Sequence, residues 1–564
     1  MKCNDYPYKR PNMEEVTAAF NQSLEQFEQA ESVEIQEQAM GRINALRLDF
    51  ETMMTLSSIR HSVNTKDPFY EGEEEFFNEN RPLFEQLTNR FYKALAGTRF
   101  IDQLKERQGS LLFDMAIQSL KTFDDSIVED LQQENKLTHE YQKLTASAEI
   151  DFEGEIRNLS QMTPFTQSTD RDMRKRASKA VSHFFEANEA RFDDLYDQLV
   201  KVRTVIAQKL GYKNFVELAY DRLGRLDYGA SEVASYRKQV KEELVPLVRK
   251  LVERQAKRLG IDTLTHYDLP LSFLSGNPTP KGDKDWMVQR ASRMYREMSK
   301  ETDEFFTFMM DRELLDLEAK KGKAGGGYCT YIPNHSAPFI FANFNGTSHD
   351  VDVLTHEAGH AFQVYSSRHH KVPEYLWPTT EACEIHSMSM EFFAWPWIHE
   401  FFLEDTEKYK FSHLEGTLKF IPYGVLVDAF QHEVYEKPEM TPAQRKAVWR
   451  KLEQEFMPYK QYEDDSFLDR GGFWFRQLHI FMIPFYYIDY TLAQVCAFQY
   501  WIKSREDLDS AWKSYVHLCK LGGSKTFLAL LKEAGLDNPF SQGTIGKSVV
   551  KLEAYLNGVD DSAF

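Results

Sequence analysis

The chain has 564 residues, 42% of them hydrophobic and 27% charged, enough apolar material for a large core and too much for a disordered polymer. Its 68 Lys and Arg against 87 Asp and Glu leave a formal charge of −19, which argues against nucleic acid or an anionic membrane surface as a partner. Five cysteines, Cys3, Cys329, Cys383, Cys496 and Cys519, form no CxxC pair, so neither a disulfide framework nor a thiolate metal cage is expected.

The first residues, MKCNDYPYKRPNMEE, carry charges and prolines where an export signal needs an apolar run, so a cytoplasmic protein is expected. From Pro11 to Val200 apolar residues recur at three- and four-residue spacing with few glycines, the pattern of successive amphipathic helices. Residues 1–200 are therefore read as a helical region and 201–564 as a second region. Gly, Pro and Asp punctuate Tyr228–Asp285 and Gly322–Gly346, where loops and short strands are expected. Pro338–Thr347 reads as one such strand. Thr441-Pro442-Ala443-Gln444 opens a helix with a cap, a first-turn proline and a Gln three residues on. The apolar stretch Ile480–Ile502 is interrupted by Pro484, Asp489, Gln494 and Gln499, so it is read as a buried helix and not a membrane span.

The sharpest signal is LTHEAGHAF, Leu354 to Phe362, an HExxH pattern. Histidines at i and i+4 project from one helix face and can both reach a tetrahedral zinc ion, while the intervening Glu357 sits beside the open coordination position. Val351, Leu354, Ala358, Phe362 and Tyr365 form an apolar stripe on the opposite side. His356 and His360 therefore line a cleft instead of the core.

A catalytic zinc needs a third protein ligand. The pattern HExxHxxGxxH is excluded, because Gln363 and Ser366 stand where it requires Gly and His. Downstream, TTEACEIHSMSMEFFAW (Thr379–Trp395) reads as a helix with Ile385, Met388, Phe392 and Trp395 on its apolar face and Glu381, Glu384 and Glu391 on or beside it. A carboxylate in such a setting is neutralised or metal-bound. Glu384 is chosen as third ligand, and Glu391, two turns on, as the partner of a ligating histidine.

HEAGH followed by EIHSMSME resembles the thimet oligopeptidase family of zinc metallopeptidases, and within it the bacterial oligoendopeptidase F and Pz-peptidase group. The similarity runs through GKAGGGYCTYIP (Gly322–Pro333), PFIFANFNGTSHDVDVLTHEAGHAF (Pro338–Phe362), EACEIHSMSMEFF (Glu381–Phe393) and HIFMIPFYYIDYTLA (His479–Ala493). The resemblance implies a mainly α, elongated metallopeptidase with a deep substrate channel, a small β element beside the zinc helix and access limited to short unfolded peptides. It also implies that His479 and a tyrosine stabilise the oxyanion. Tyr490 is placed first, Tyr486 second, and His479, Tyr486 and Tyr490 are expected on one face of a single helix at spacings of seven and four.

Gly325-Gly326-Gly327 lacks the GK[ST] ending of a phosphate loop, so a flexible loop over a peptide is expected there. An edge strand at Phe339–Phe344 could pair with an extended substrate through Phe341 and Ala342. Together these residues describe an endopeptidase with one zinc ion per chain held by His356, His360 and Glu384, and Glu357 as general base. Its substrates are short peptides, and the resemblance to Pz-peptidases implies collagen-derived ones among them. The rivals are a zinc carboxypeptidase of similar build and a zinc-stabilised peptide-binding protein without turnover. No membrane partner is expected.

Overall fold

The computed structural model describes all residues from Met1 to Phe564. Helices dominate, as expected. Helix α1 (Met13–Glu28) starts where the Asn12 side chain accepts from the backbone N–H of Glu14 and Glu15. It packs Phe20, Leu24 and Phe27 against α2 (Val33–Val63) and α3 (Pro68–Ala96). Phe50 of α2 and Phe84 of α3 stack with ring centroids 4.1 Å apart. These helices enclose an apolar cluster whose members run from Phe20 to Ala116, joined from far along the chain by Val372 and Tyr375. Tyr375 is held there by its hydroxyl, which accepts from the Leu112 N–H at 3.0 Å. Arg47 adds an ion pair to Glu374 at 2.7 Å.

The much larger second cluster draws most of its side chains from between Ile127 and Leu556, among them Tyr141, Phe192, Tyr196 and Val200, so these helices share a core with the second half of the chain, while Ile150, Phe152, Met162 and Ala177 form a small cluster of their own. Helix α4 (Val128–Ala146) leads into a hairpin, β1 (Ile150–Phe152) and β2 (Glu155–Arg157), that the helical periodicity concealed. Both turn residues, Glu153 and Gly154, have positive φ, the tight turn that matches strand twist. The expectation of loops over Tyr228–Asp285 is corrected: helices α5 (Ala230–Gln239) and α6 (Val245–Leu259) occupy its first half. Val245, Val248, Val252 and Leu259 keep helical spacing there, and the chain leaves the helix only at Gly260, φ +63°.

A three-stranded sheet precedes the motif helix. Its order is β3 (Leu315–Glu318), β5 (Ala337–Phe344), β4 (Tyr328–Ile332), with β5 parallel to β3 and antiparallel to β4. The expected edge strand is thus the central one, its hydrogen-bonding edges spent on two neighbours. Phe341 and Ala342 are buried, which removes them as substrate-pairing residues.

Four further helices carry the site: α7 (His349–Ser367), α8 (Thr380–Phe393), α9 (Thr406–Glu436) and α11 (Tyr487–Glu506), the last preceded by the short α10 (Leu478–Met482). The single helix expected through Ile480–Ile502 is broken. Pro484 forces the preceding Ile483 out of helical backbone, and Phe485 takes φ +66° before α11 begins. The capping box at Thr441 and Gln444 opens Pro442–Phe456 as read. No helix is long and apolar enough to cross a membrane.

Candidate metal centre and active site

Helices α7 and α8 cross with their backbones in close approach at Gly359, the glycine inside the HEAGH motif. A Cβ there would lie 2.6 Å from Ser387 Cα and 2.7 Å from His386 O. That closeness carries Glu384 of α8 to the two motif histidines: Glu384 Oε2 is 3.2 Å from His356 Nε2 and 3.5 Å from His360 Nε2. All three ligand atoms lie within 4.8 Å of one another. Two ligands bound about 2.1 Å from a tetrahedral zinc lie roughly 3.4 Å apart, so two imidazoles and one carboxylate at these distances fit such an ion. The other oxygen of Glu384 accepts from the Tyr486 hydroxyl at 2.8 Å, and Ser387 Oγ donates to Oε2.

The charge balance favours an ionised acceptor. Burial alone would raise the Glu384 carboxyl, but His360 and His356 hold it well below the usual carboxylate range. Burial likewise opposes protonation of His356, and Glu384 and Glu391 outweigh it. Glu357, beside the histidines on the same helix, is pushed up by burial and held back by both imidazoles.

Glu391 bridges two histidines. Its Oε1 is 2.7 Å from His356 Nδ1 and its Oε2 2.8 Å from His413 Nε2. Against the cost of burial, these partners hold it at about 2. Trp395 Nε1–H points at His413 Nδ1, 3.3 Å away. Because an indole N–H can only donate, Nδ1 keeps its lone pair and Nε2 carries the proton given to Glu391. His413, on α9, is a member of the site that the sequence did not single out; a lone histidine in a long helix has no ligand spacing to betray it.

His479, Tyr486 and Tyr490 meet, although not on one helix face: the turn at Pro484 folds His479 back so that its ring stacks on Tyr486 at 5.6 Å and meets Tyr490 edge-on at 5.9 Å. Burial lowers His479 to about 4, so its ring is neutral near pH 7. The Gln477 amide carbonyl accepts from the Tyr423 hydroxyl at 2.7 Å, which leaves its NH2 to donate to His479 Nδ1 at 2.8 Å. Nε2 is then the protonated nitrogen, a donor facing the cluster. Burial, with the Glu384 charge adding, raises both Tyr486 and Tyr490, which keeps the phenols protonated.

Of the glycine run, Gly327 reaches the site: a Cβ there would lie 3.8 Å from Glu357 Oε1 and 3.4 Å from Phe341 O. Gly325 and Gly326 have open space around them. The carbonyl of Ala342 is taken by Lys323 Nζ at 2.5 Å. Glu381 faces away, toward Arg225 and Asp489; burial, with Asp489 adding, pushes it up to about 8. A cavity of about 520 Å³ opens beside Glu391, His479 and Tyr490.

With a buried acid, three convergent side chains that could hold a metal, and neutral His and Tyr donors in one cleft, the arrangement is suited to metal-assisted hydrolysis of an acyl bond. Comparison with known proteins points the same way. The family model described as Peptidase family M3 matches residues 295–548, and that described as Peptidase M3 N-terminal domain matches residues 3–123. An oligoendopeptidase F homolog from Borreliella burgdorferi is 23% identical over 435 residues, 72% of this chain and 71% of that protein. A solved structure of Pz peptidase A with an inhibitor is 56% identical with a TM-score of 0.96, and each chain covers all of the other. One from Bacillus anthracis, described as a putative oligoendopeptidase F, is 52% identical with a TM-score of 0.91, covering 100% of this chain and 99% of that one.

Proposed function

Because this chain belongs to peptidase family M3, we propose that it is a zinc oligoendopeptidase that cuts internal bonds of short unfolded peptides, peptides of collagen-like sequence among them. The observation that carries this reading is the convergence of His356, His360 and Glu384 ligand atoms within 4.8 Å, with Glu357 on the same helix between the two histidines.

His356, His360 and Glu384 would hold one zinc ion per chain. When bound, zinc polarises the scissile carbonyl and makes a water more acidic. Glu357 takes the proton of the attacking water on a carboxylate oxygen and passes it to the leaving amine; its burial raises its proton affinity toward that of a useful base. His479 donates from Nε2 and Tyr490 from its hydroxyl to the developing oxyanion. Tyr486 ranks behind Tyr490 because its proton is committed to Glu384. Glu391 and His413 keep His356 turned with Nε2 toward the ligand triad. The helices of residues 1–200 are proposed to form one wall of the substrate channel, with Gly325–Gly327 lying over the bound peptide.

The test is Glu357→Gln. The amide fills the same space but cannot accept the water proton, so turnover of a peptide blocked at both ends should fall at least about 10²-fold while bound zinc stays at one per chain. His356→Ala, His360→Ala and Glu384→Ala should lose the metal. Cleavage of the blocked peptide separates an endopeptidase from a carboxypeptidase, and a Glu357→Gln protein with near-native turnover would refute the assignment of the base.

A further inference from the structure

Along α9, Tyr409, His413, Gly416, Thr417 and Phe420 recur at three- and four-residue spacing and form one wall of the cavity beside His479 and Tyr490. Gly416 is the exposed member of that stripe; the others are buried or half-buried. Glycine inside a helix is unfavourable relative to alanine, and it is normally retained for a left-handed backbone or for close packing. Neither reason holds at Gly416. Its φ is not positive, and a Cβ built on it would meet nothing within 4 Å. Gly424, two turns later, is the contrast: a Cβ there would strike Thr491 Cγ2 at 2.3 Å. A side chain at 416 would extend into space where no atom lies within 4 Å of its Cβ.

The surfaces facing that volume define what fits. Met388 comes from α8, Tyr487 and Tyr490 from α11, and Phe420 meets Tyr487 edge-to-face at 5.7 Å. Both carboxylates in the wall are occupied: Asp352 accepts from the Tyr409 hydroxyl at 2.5 Å, and Glu391 lies between His356 and His413. Other polar groups also face it, among them Asn277, His349, Ser412 and Gln494, but no free acid is left to select a basic side chain, and the aromatic edges favour a flat uncharged one. We propose that Gly416 determines specificity by keeping open a pocket for a bulky uncharged side chain, aromatic before aliphatic, next to the scissile bond. This rests on the reading of the site as a peptidase.

The test uses Gly416→Ala and Gly416→Leu in the full-length zinc protein, with blocked peptides that differ only in carrying Phe or Ala at either position flanking the cleaved bond. Gly416→Leu should lower kcat/KM for the Phe peptide at least tenfold, mainly through KM, and leave the Ala peptide within threefold; Gly416→Ala should fall between. Zinc content should not change, and Tm should rise slightly, since both replacements favour helix. Equal losses on the two peptides, an unchanged Phe peptide, or loss of zinc or of Tm would each overturn the proposal, because the glycine would then serve packing or nothing. Binding of the same peptides to the Glu357→Gln protein, read by fluorescence anisotropy, should follow the same order. If that order holds while the wild type cuts neither peptide, the hydrolytic reading fails and the pocket assignment stands.

Discussion

Tyr486 and Tyr490 have ring centroids 5.0 Å apart, and their different partners imply different consequences of losing a hydroxyl. Tyr490→Phe is expected to lower kcat by about 10²- to 10³-fold with KM nearly kept, the cost of one oxyanion donor. Tyr486→Phe removes a donor to Glu384 and should weaken zinc about 10-fold; steady-state kinetics and zinc titration against a chelator distinguish the two. A large kcat loss confined to Tyr486→Phe would exchange the roles. Outside the site, burial lowers His432 to about 4 from 6.5, with Asp428 opposing and Arg237 and Arg225 adding. Between those pH values the unfolded chain binds a proton that the folded chain refuses, so stability falls as pH falls through this window. At about 1.4 kcal/mol per pH unit the loss is about 3 kcal/mol at most. Urea unfolding at pH 7 and 4.5 should show a smaller drop in His432→Gln than in the wild type.

At the scale of elements, the decisive contact is the crossing of α7 and α8. Helix propensity would favour alanine at position 359, but a Cβ placed 2.6 Å from Ser387 Cα has no flexible neighbour to displace. Gly359→Ala must separate the helices, and overpacking of this kind costs about 1–3 kcal/mol. Because that separation moves Glu384 away from the histidines, zinc affinity should fall along with stability, although no ligand has changed. Metal content after dialysis and thermal unfolding of the zinc-free protein check the two effects separately; native zinc affinity in this variant would mean that the crossing tolerates a methyl group. The break at Pro484 has the same logic: His479 reaches Tyr486 because the helix stops, not because a helical face continues.

For the whole molecule, the issue is what can reach the centre. The N-terminal cluster is pinned to the part of the chain that carries the candidate site by Tyr375 and by the Arg47–Glu374 pair, which is mostly buried. If the substrate lies in a channel between these parts, only an extended chain enters. Peptides of roughly 5 to 20 residues should be cut, while the same sequence in a surface loop of a stable domain should resist, since freeing it costs much of that domain's folding energy of about 5–15 kcal/mol. Equimolar competition followed by mass spectrometry measures this. Comparable rates would indicate an open cleft and a general protease.

What is local could be read from the chain alone: the helical character, the two motif histidines one turn apart, Glu357 between them in sequence, and the carboxylate-bearing helix that follows. Periodicity and ligand spacing act within a turn or two of chain, where neighbours in sequence are neighbours in space. The same locality misled where a long-range partner decides. Phe339–Phe344 reads as a strand in either case, but only pairing with β3 and β4 made it central. Glu391 could be suspected at 35 residues from His356, whereas His413 and the Trp395 indole that sets its tautomer come together only when α9 packs against α8. Gly416 lies beyond sequence reasoning for a related reason: an unfilled volume belongs to no residue, and it exists only once four helices have closed around it.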